Sequence, residues 1–253
     1  MKRRSGLTLM ELLVVLMILV ALASLLIPLI SNPMGRAHNS SGTVNMKEIT
    51  KFIQAYQTQQ YGFPDQWDAL TDGTALASYL PKDDAGVPVH GDLTAGTLTT
   101  EEVAALGSTG IKHVHLMYAT APNAAGFSPT FNPYLTPLPS IGTTITETTN
   151  LALLSPAKAA GQLNASLTGK YVAFGLGQRC TLVGKTIAEA PVTFSDEPAA
   201  NPALTYVRFA VIFKVSEGGT ALSKAQFVGT LHIATEGLHG VNAHLQEYYD
   251  IDK

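Results

Sequence analysis

Residues 3–30 read RRSGLTLMELLVVLMILVALASLLIPLI, and one residue in them decides how the rest is read. Leu12 to Ile30 carry no charge, so at ~1.5 Å rise per residue they make a helix just long enough to cross a ~30 Å hydrocarbon layer. Glu11 stands at the head of that run. A carboxylate inside an apolar span costs ~2.5–3.5 kcal/mol even on lenient insertion scales, so its position calls for a reason. Lys2, Arg3 and Arg4 precede the run, and the positive-inside tendency then predicts a cytoplasmic N-terminus and a single membrane pass.

Three readings of the segment compete. An uncleaved anchor needs the basic flank and the apolar run but leaves Glu11 unexplained. A secretory signal peptide would use the small residues Ala21 to Ala23 as its cut site, yet hydrophobicity continues through SLLIPLI without the expected polar segment. The third takes the string whole: a short basic leader ending in Gly6, then Leu7, Glu11 four residues later, and Pro28 near the end of the run.

That combination resembles the N-terminal signal of type IV pilins and of the pseudopilins of type II secretion systems, over the first ~30 residues. The resemblance implies cleavage between Gly6 and Leu7 by a prepilin peptidase, methylation of the new amine, and Glu11 as the fifth residue of the mature chain. Pro28 then falls on the family's helix-kinking proline. It also implies a pilin-like α+β fold, in which a long N-terminal hydrophobic helix precedes a globular domain with an antiparallel β-sheet. The product would be a structural filament subunit, partnered by copies of itself or by related subunits. Its expected location is the inner membrane as a precursor, then a periplasmic or cell-surface filament. The family usually begins its mature chain with phenylalanine, where this chain has Leu7.

Elementary physics supports each position. Glycine at the cut lets a protease approach the backbone closely. Glu11 would pair with the new ammonium at Leu7, either on a neighbouring subunit, where it acts as a register device, or within its own helix one turn away. Pro28 either ends the span or bends a continuing helix. The alternative function is a membrane-anchored or secreted binding or enzymatic domain that uses this segment only for targeting.

The chain divides into a leader over 1–6, an assembly helix over 7–30, a linker and amphipathic half-helix over 31–60, and a globular domain over 61–253. Pro33, Gly35 and Gly42 predict a break or partly unwound link around residues 31–43. Beyond it, Ile49, Phe52, Ile53 and Tyr56 recur at three and four, the mark of a helix with one apolar face. Gly62 and Pro64 stop that helix. YGFPDQWDALTDGTALASYLPKDDAGVPV, from Tyr61, has a fainter likeness to the start of the globular domain of major pseudopilins. A Thr-x-x-Glu box at Thr99 announces a short helix, while PNAAGFSPTFNPYLTPLP over 122–139 must be loop or extended chain. IKHVHLMY, KYVAFGLG, RCTLVG, TYVRFAVIFKV and AQFVGTLHIA read as strands, with Gly218 and Gly219 placed for a hairpin turn.

Composition limits the chemistry. The 253 residues are 46% hydrophobic and 14% charged, with a net charge of −3. Without the three basic residues of the leader the balance is more acidic still, which argues against a nucleic-acid partner. Cys180 is the only cysteine, so neither an intrachain disulfide nor a thiolate zinc cluster can form, and it reads as a small buried hydrophobe. His113 and His115 share a strand face, with His232, His239 and His244 further on, but no carboxylate motif accompanies them. Asp65, Asp68, Asp72, Asp83 and Asp84 read as solvated turn carboxylates, because calcium needs six or more converging oxygens. No metal, cofactor or catalytic residue is expected, and no hydrolase elbow, phosphate loop or dinucleotide fingerprint occurs.

Overall fold

The computed structural model describes residues 9–78, 80–83, 85–117, 142–192, 205–234 and 237–250; for 23–39, 90, 247 and 250 it describes the backbone alone. The first element is a helix, α1 (Leu9–Gln60). Its second half follows the periodicity of its sequence except at Phe52, which is exposed. Met46, Ile49, Ile53 and Tyr56 are buried on one face, while Lys47, Glu48, Lys51 and Gln54 face solvent. The helix ends at Gln60, and Tyr61 follows with a φ of 58° in the left-handed region.

Against that face lies a sheet that counts nine strands among the described residues. Its central strands are β6 (Gly169–Gly175), β7 (Phe209–Glu217) and β8 (Thr220–Ala234), paired antiparallel in that order. The glycines between β7 and β8 make the expected tight turn, with φ of 55° at Gly218 and 79° at Gly219, which a side chain would resist. β9 (Gly237–His239) continues the order beyond β8. On the other side of β6 lie β5 (Leu151–Leu154), which also pairs with β2 (Leu93–Gly96), and the two-residue β1 (Trp67–Asp68). β1 leads on to β3 (His113–His115) and β4 (Thr143–Thr144).

Alternation along the central strands sends side chains into two cores. Val172 and Phe174 of β6 with Phe209, Val211, Phe213 and Val215 of β7 meet the apolar face of α1. The ring centroids of Phe63 and Phe213 are 5.1 Å apart, edge to face. Tyr171, Ala173, Ala210 and Ile212, the intervening residues, point the other way, into a core with Leu70, Leu80, Leu93 and Leu231. Both faces are covered, so β6 and β7 read as nearly continuous apolar runs.

Among the described residues three further α-helices pack on this frame. α2 (Thr100–Gly107) carries the expected capping box: Glu102 N–H donates to Thr99 Oγ1, and Thr99 N–H donates to Glu102 Oε2. Lys170 of β6 reaches Glu102 at 2.7 Å and ties this helix to the sheet. α3 (Pro156–Leu163) starts on Ser155, whose hydroxyl accepts from Lys158 N–H, and ends on Asn164 in the left-handed conformation. α4 (Val241–Asp250) packs on α1 and is a helix the sequence reading did not anticipate.

Five expectations are corrected. The sheet is mixed, not antiparallel, because β1 and β3 run parallel, with Trp67 opposite Val114 and Asp68 opposite His115. Parallel neighbours need a long crossover, and residues 69–112, with α2 among them, provide it. Among the described residues no helix is long and apolar enough to cross a membrane, so the expected long hydrophobic transmembrane helix of a pilin-like fold does not stand. The apolar side chains described at the start of α1 run over 9–22, roughly 20 Å of helix against a layer of ~30 Å. With that span the single-pass inner-membrane precursor also falls. The link expected around 31–43 is helical throughout, so Pro33, Gly35 and Gly42 do not end α1. RCTLVG is a succession of turns joined by hydrogen bonds such as Val183 N–H to the Cys180 carbonyl, at 2.9 Å.

Ile53 is fully buried where α1 meets the sheet, whereas Phe52 on the same turn is 37% exposed. Ile53→Ala is expected to cost about 2–5 kcal/mol in urea denaturation, through lost burial and a residual cavity. Phe52→Ala should cost clearly less, and equal losses would show that the helix face is assigned wrongly.

Candidate functional site

Of the processing and assembly residues, Gly6 and Leu7 lie outside the described residues. Glu11 sits in the first turn of α1, where an acidic side chain favours the positive end of the helix dipole. The helix passes through Pro28 without ending, which removes the reading of Pro28 as a terminator. Around Glu11 the surface is unusual. Every large apolar side chain from Leu9 to Leu22 is between 47% and 82% exposed, and these residues occupy all sides of the helix. Surfaces this apolar are ordinarily covered by something.

A second feature is a cleft of about 480 Å³ beside the other half of α1. Its floor is mostly apolar, from Met46 of α1, Leu163 of α3, Val228 of β8 and Val241 of α4. Thr50 and Thr230 meet within it, their hydroxyl oxygens 3.3 Å apart. Gly229 lets the cleft wall close up, because a Cβ there would fall on the Leu163 side chain. Lys47 and Lys51, one helical turn apart and exposed, are its charged lining residues.

The histidines separate into two places. His113 is held by Asp65: the ring Nδ1 lies 2.7 Å from Asp65 Oδ2, while Asp65 Oδ1 accepts from the backbone N–H groups of Lys112 and His113. His115, two residues on, is buried. At the far end of the sheet His232 Nδ1 lies 3.1 Å from His244 Nε2 with the rings stacked, and His239 is a further neighbour at 5.8 Å between centroids. His232 and His244 thus join β8 to α4, and the His244 ring lies beside Gly42 of α1. The two groups do not converge. Among the described residues, no three His, Cys, Asp or Glu side chains are placed to hold a metal ion.

The aspartates part company as well. Asp72 caps its own turn, accepting from Thr74 and Ala75, and Asp83 accepts from Val87 N–H; Asp84 lies outside the described residues. Asp68 is corrected outright from a solvated turn residue to a buried one, 1% exposed. Tyr206 donates its hydroxyl to Asp68 Oδ2 at 2.6 Å, and Arg208, itself buried, donates to the Leu176 carbonyl close by. Gly175 and Gly177 make this cluster fit, since a Cβ at the first would strike the Tyr206 hydroxyl and at the second the Asp68 carboxylate. Burial pushes the Asp68 carboxyl up to about 6, in spite of the opposing pull of the Tyr206 hydroxyl and the Arg208 and Arg179 guanidinium groups. Sequence reasoning missed the site, because nothing in WDALTDG marks its first aspartate as the one that enters the sheet.

Cys180 is buried as expected, in a turn and not in a strand; burial raises its thiol well above the usual range, which leaves it inert as a nucleophile. Comparison with protein-family models, curated proteins and solved structures returns no match.

A carboxyl whose folded pKa is raised from 3.8 to about 6 contributes stability that is complete below the lower value and lost as pH climbs through the upper one. Asp68→Asn, which does not titrate, should therefore gain on the wild type by roughly 3 kcal/mol between pH 3.5 and 7 in urea midpoints. A difference that stays constant with pH would show that Asp68 is ionised throughout.

Proposed function

We propose that the chain is a structural subunit of a type IV pilus-like or type II secretion filament, joined to its neighbours through the N-terminal part of α1. The observation that carries this reading is the exposure of Leu9 to Leu22 on every side of the helix. A dimer contact would cover one stripe of such a surface and leave the rest in water. A bundle of several helices covers all of it, and burial of each large side chain is worth ~1.5–3 kcal/mol before the costs of association. A filament supplies that bundle by repeating one heterologous contact.

Glu11 supports the same reading from the other direction. It is the only charged residue between Arg4 and Arg36, so a helix bundle that buries it must supply a cation at that level. The ammonium created at Leu7 by cleavage after Gly6 is one such group. Registers that leave Glu11 without a counter-ion cost several kcal/mol, which selects among the many ways in which smooth apolar helices can slide. Processing by a prepilin peptidase rests on the basic leader, Gly6, Glu11 and Pro28 in their spacing. The remaining body, with no metal-binding group of three among its described residues, serves as the outer surface of the assembly.

Two measurements test the proposal. The mature chain should begin at Leu7 with a methylated amine in intact mass analysis, and a start at Met1 or Ser24 would overturn the processing step. Glu11→Ala should leave the amount of folded subunit unchanged while lowering sedimentable filament at least tenfold. Filaments of normal yield from that variant would overturn the register role.

A further inference from the structure

We infer that the cleft lined by Met46, Leu163, Val228 and Val241 receives the Leu9–Leu22 stretch of α1 from a second copy of the chain, with Glu11 lying against Lys47 and Lys51. The inference rests on the filament reading and names the surface that such a filament would use.

Three observations carry it. The first is size: about 480 Å³ holds the side chains of one helical turn but not a helix. Its occupant therefore lies across the mouth and inserts side chains at three- and four-residue spacing. The second is charge. The cleft is apolar at its floor, and its charged lining residues are the exposed Lys47 and Lys51, which share a helix face at i and i+4. It suits an apolar rod that carries a single carboxylate. The third is supply, because this chain contains such a rod: residues 9–22 are apolar on all sides, exposed, and have Glu11 as their one charge.

The two surfaces lie on different parts of the same helix, so neither can satisfy the other within one chain. A contact between them is heterologous and leaves a free stretch at one end and a free cleft at the other, which is the condition for open-ended growth. If the two α1 helices run parallel, the spacing from Glu11 to Lys47 and Lys51 sets neighbouring copies roughly 54–60 Å apart along the helix. Glu48, exposed beside Lys47, is not among the residues that line the cleft.

Charge reversal and cross-linking in the full chain test the contact. Lys47→Glu with Lys51→Glu should lower sedimentable filament at least tenfold, and adding Glu11→Lys to that pair should restore most of it. Both lysines are exposed, so an unchanged urea midpoint will verify that the subunit still folds. In a separate variant, Val15→Cys with Gln162→Cys should give a ladder of covalent multimers on copper-phenanthroline oxidation, while either cysteine alone should stop at dimers; the native Cys180 is buried and should not compete. Wild-type assembly by the double charge reversal, together with no ladder, would overturn the cleft contact. In that case loss of filament in Glu11→Ala and a mature start at Leu7 would still uphold the filament reading. Normal assembly of Glu11→Ala from an unprocessed chain would overturn both.

Discussion

The packing of one helix stripe on one sheet face supports everything else in this domain. Met46, Ile49, Ile53 and Tyr56 of α1 lie against the phenylalanine and valine side chains of β6 and β7. Both partners are needed for either to be stable. An isolated helix has no reason to stay dry on one side, and a sheet whose central strands are apolar on both faces needs cover on both. Once α1 is seated, α4 can pack on it, and the stacked pair His232 and His244 closes the junction between β8 and α4. The cleft is a by-product of that arrangement, the space left where α1, α3, β8 and α4 meet.

The same helix serves two purposes that demand different surfaces. Over residues 43–56 it is amphipathic and anchored to the sheet, and over 9–22 it is apolar all round and exposed. A helix can combine them because its hydrogen bonds are internal and do not depend on what the side chains meet. The proposed filament reading draws on that division of labour: one end is fixed to a body, and the other presents exposed apolar side chains on every side. In that proposal Glu11 gives the otherwise uncharged stretch a level at which partners can be told apart.

The buried polar cluster around Asp68 belongs to a different problem, the insertion of a two-residue strand. β1 has little side-chain area with which to hold its place between β3 and β6. Trp67 fixes it from one face, its indole N–H donating to the Pro64 carbonyl at 2.6 Å, and Asp68 fixes it from the other through Tyr206. A carboxylate does this at a cost, since burial works against its charge, and the two glycines of β6 and the following turn are the steric condition for it. A parallel pair of such short strands would otherwise have few reasons to form.

What the sequence determined by itself was local. The three-and-four spacing of Ile49, Ile53 and Tyr56, the Thr99 capping box and the Gly218–Gly219 turn each depend on near neighbours and appear where the residues put them, whereas Phe52, part of the same helical pattern, stays exposed. Glycine and proline were weaker guides, because α1 runs through Gly35 and Pro33 despite their poor intrinsic preference for helix. Only the tertiary structure decided the parallel course of β1 and β3, the separation of five histidines into two unrelated places, and that Asp68 is buried where Asp65, Asp72 and Asp83 are not. Those outcomes depend on contacts between residues tens of positions apart, such as Asp68 with Tyr206. Chain-distant partners leave no periodicity in a sequence, and a dipeptide like Trp67-Asp68 is too short to carry one.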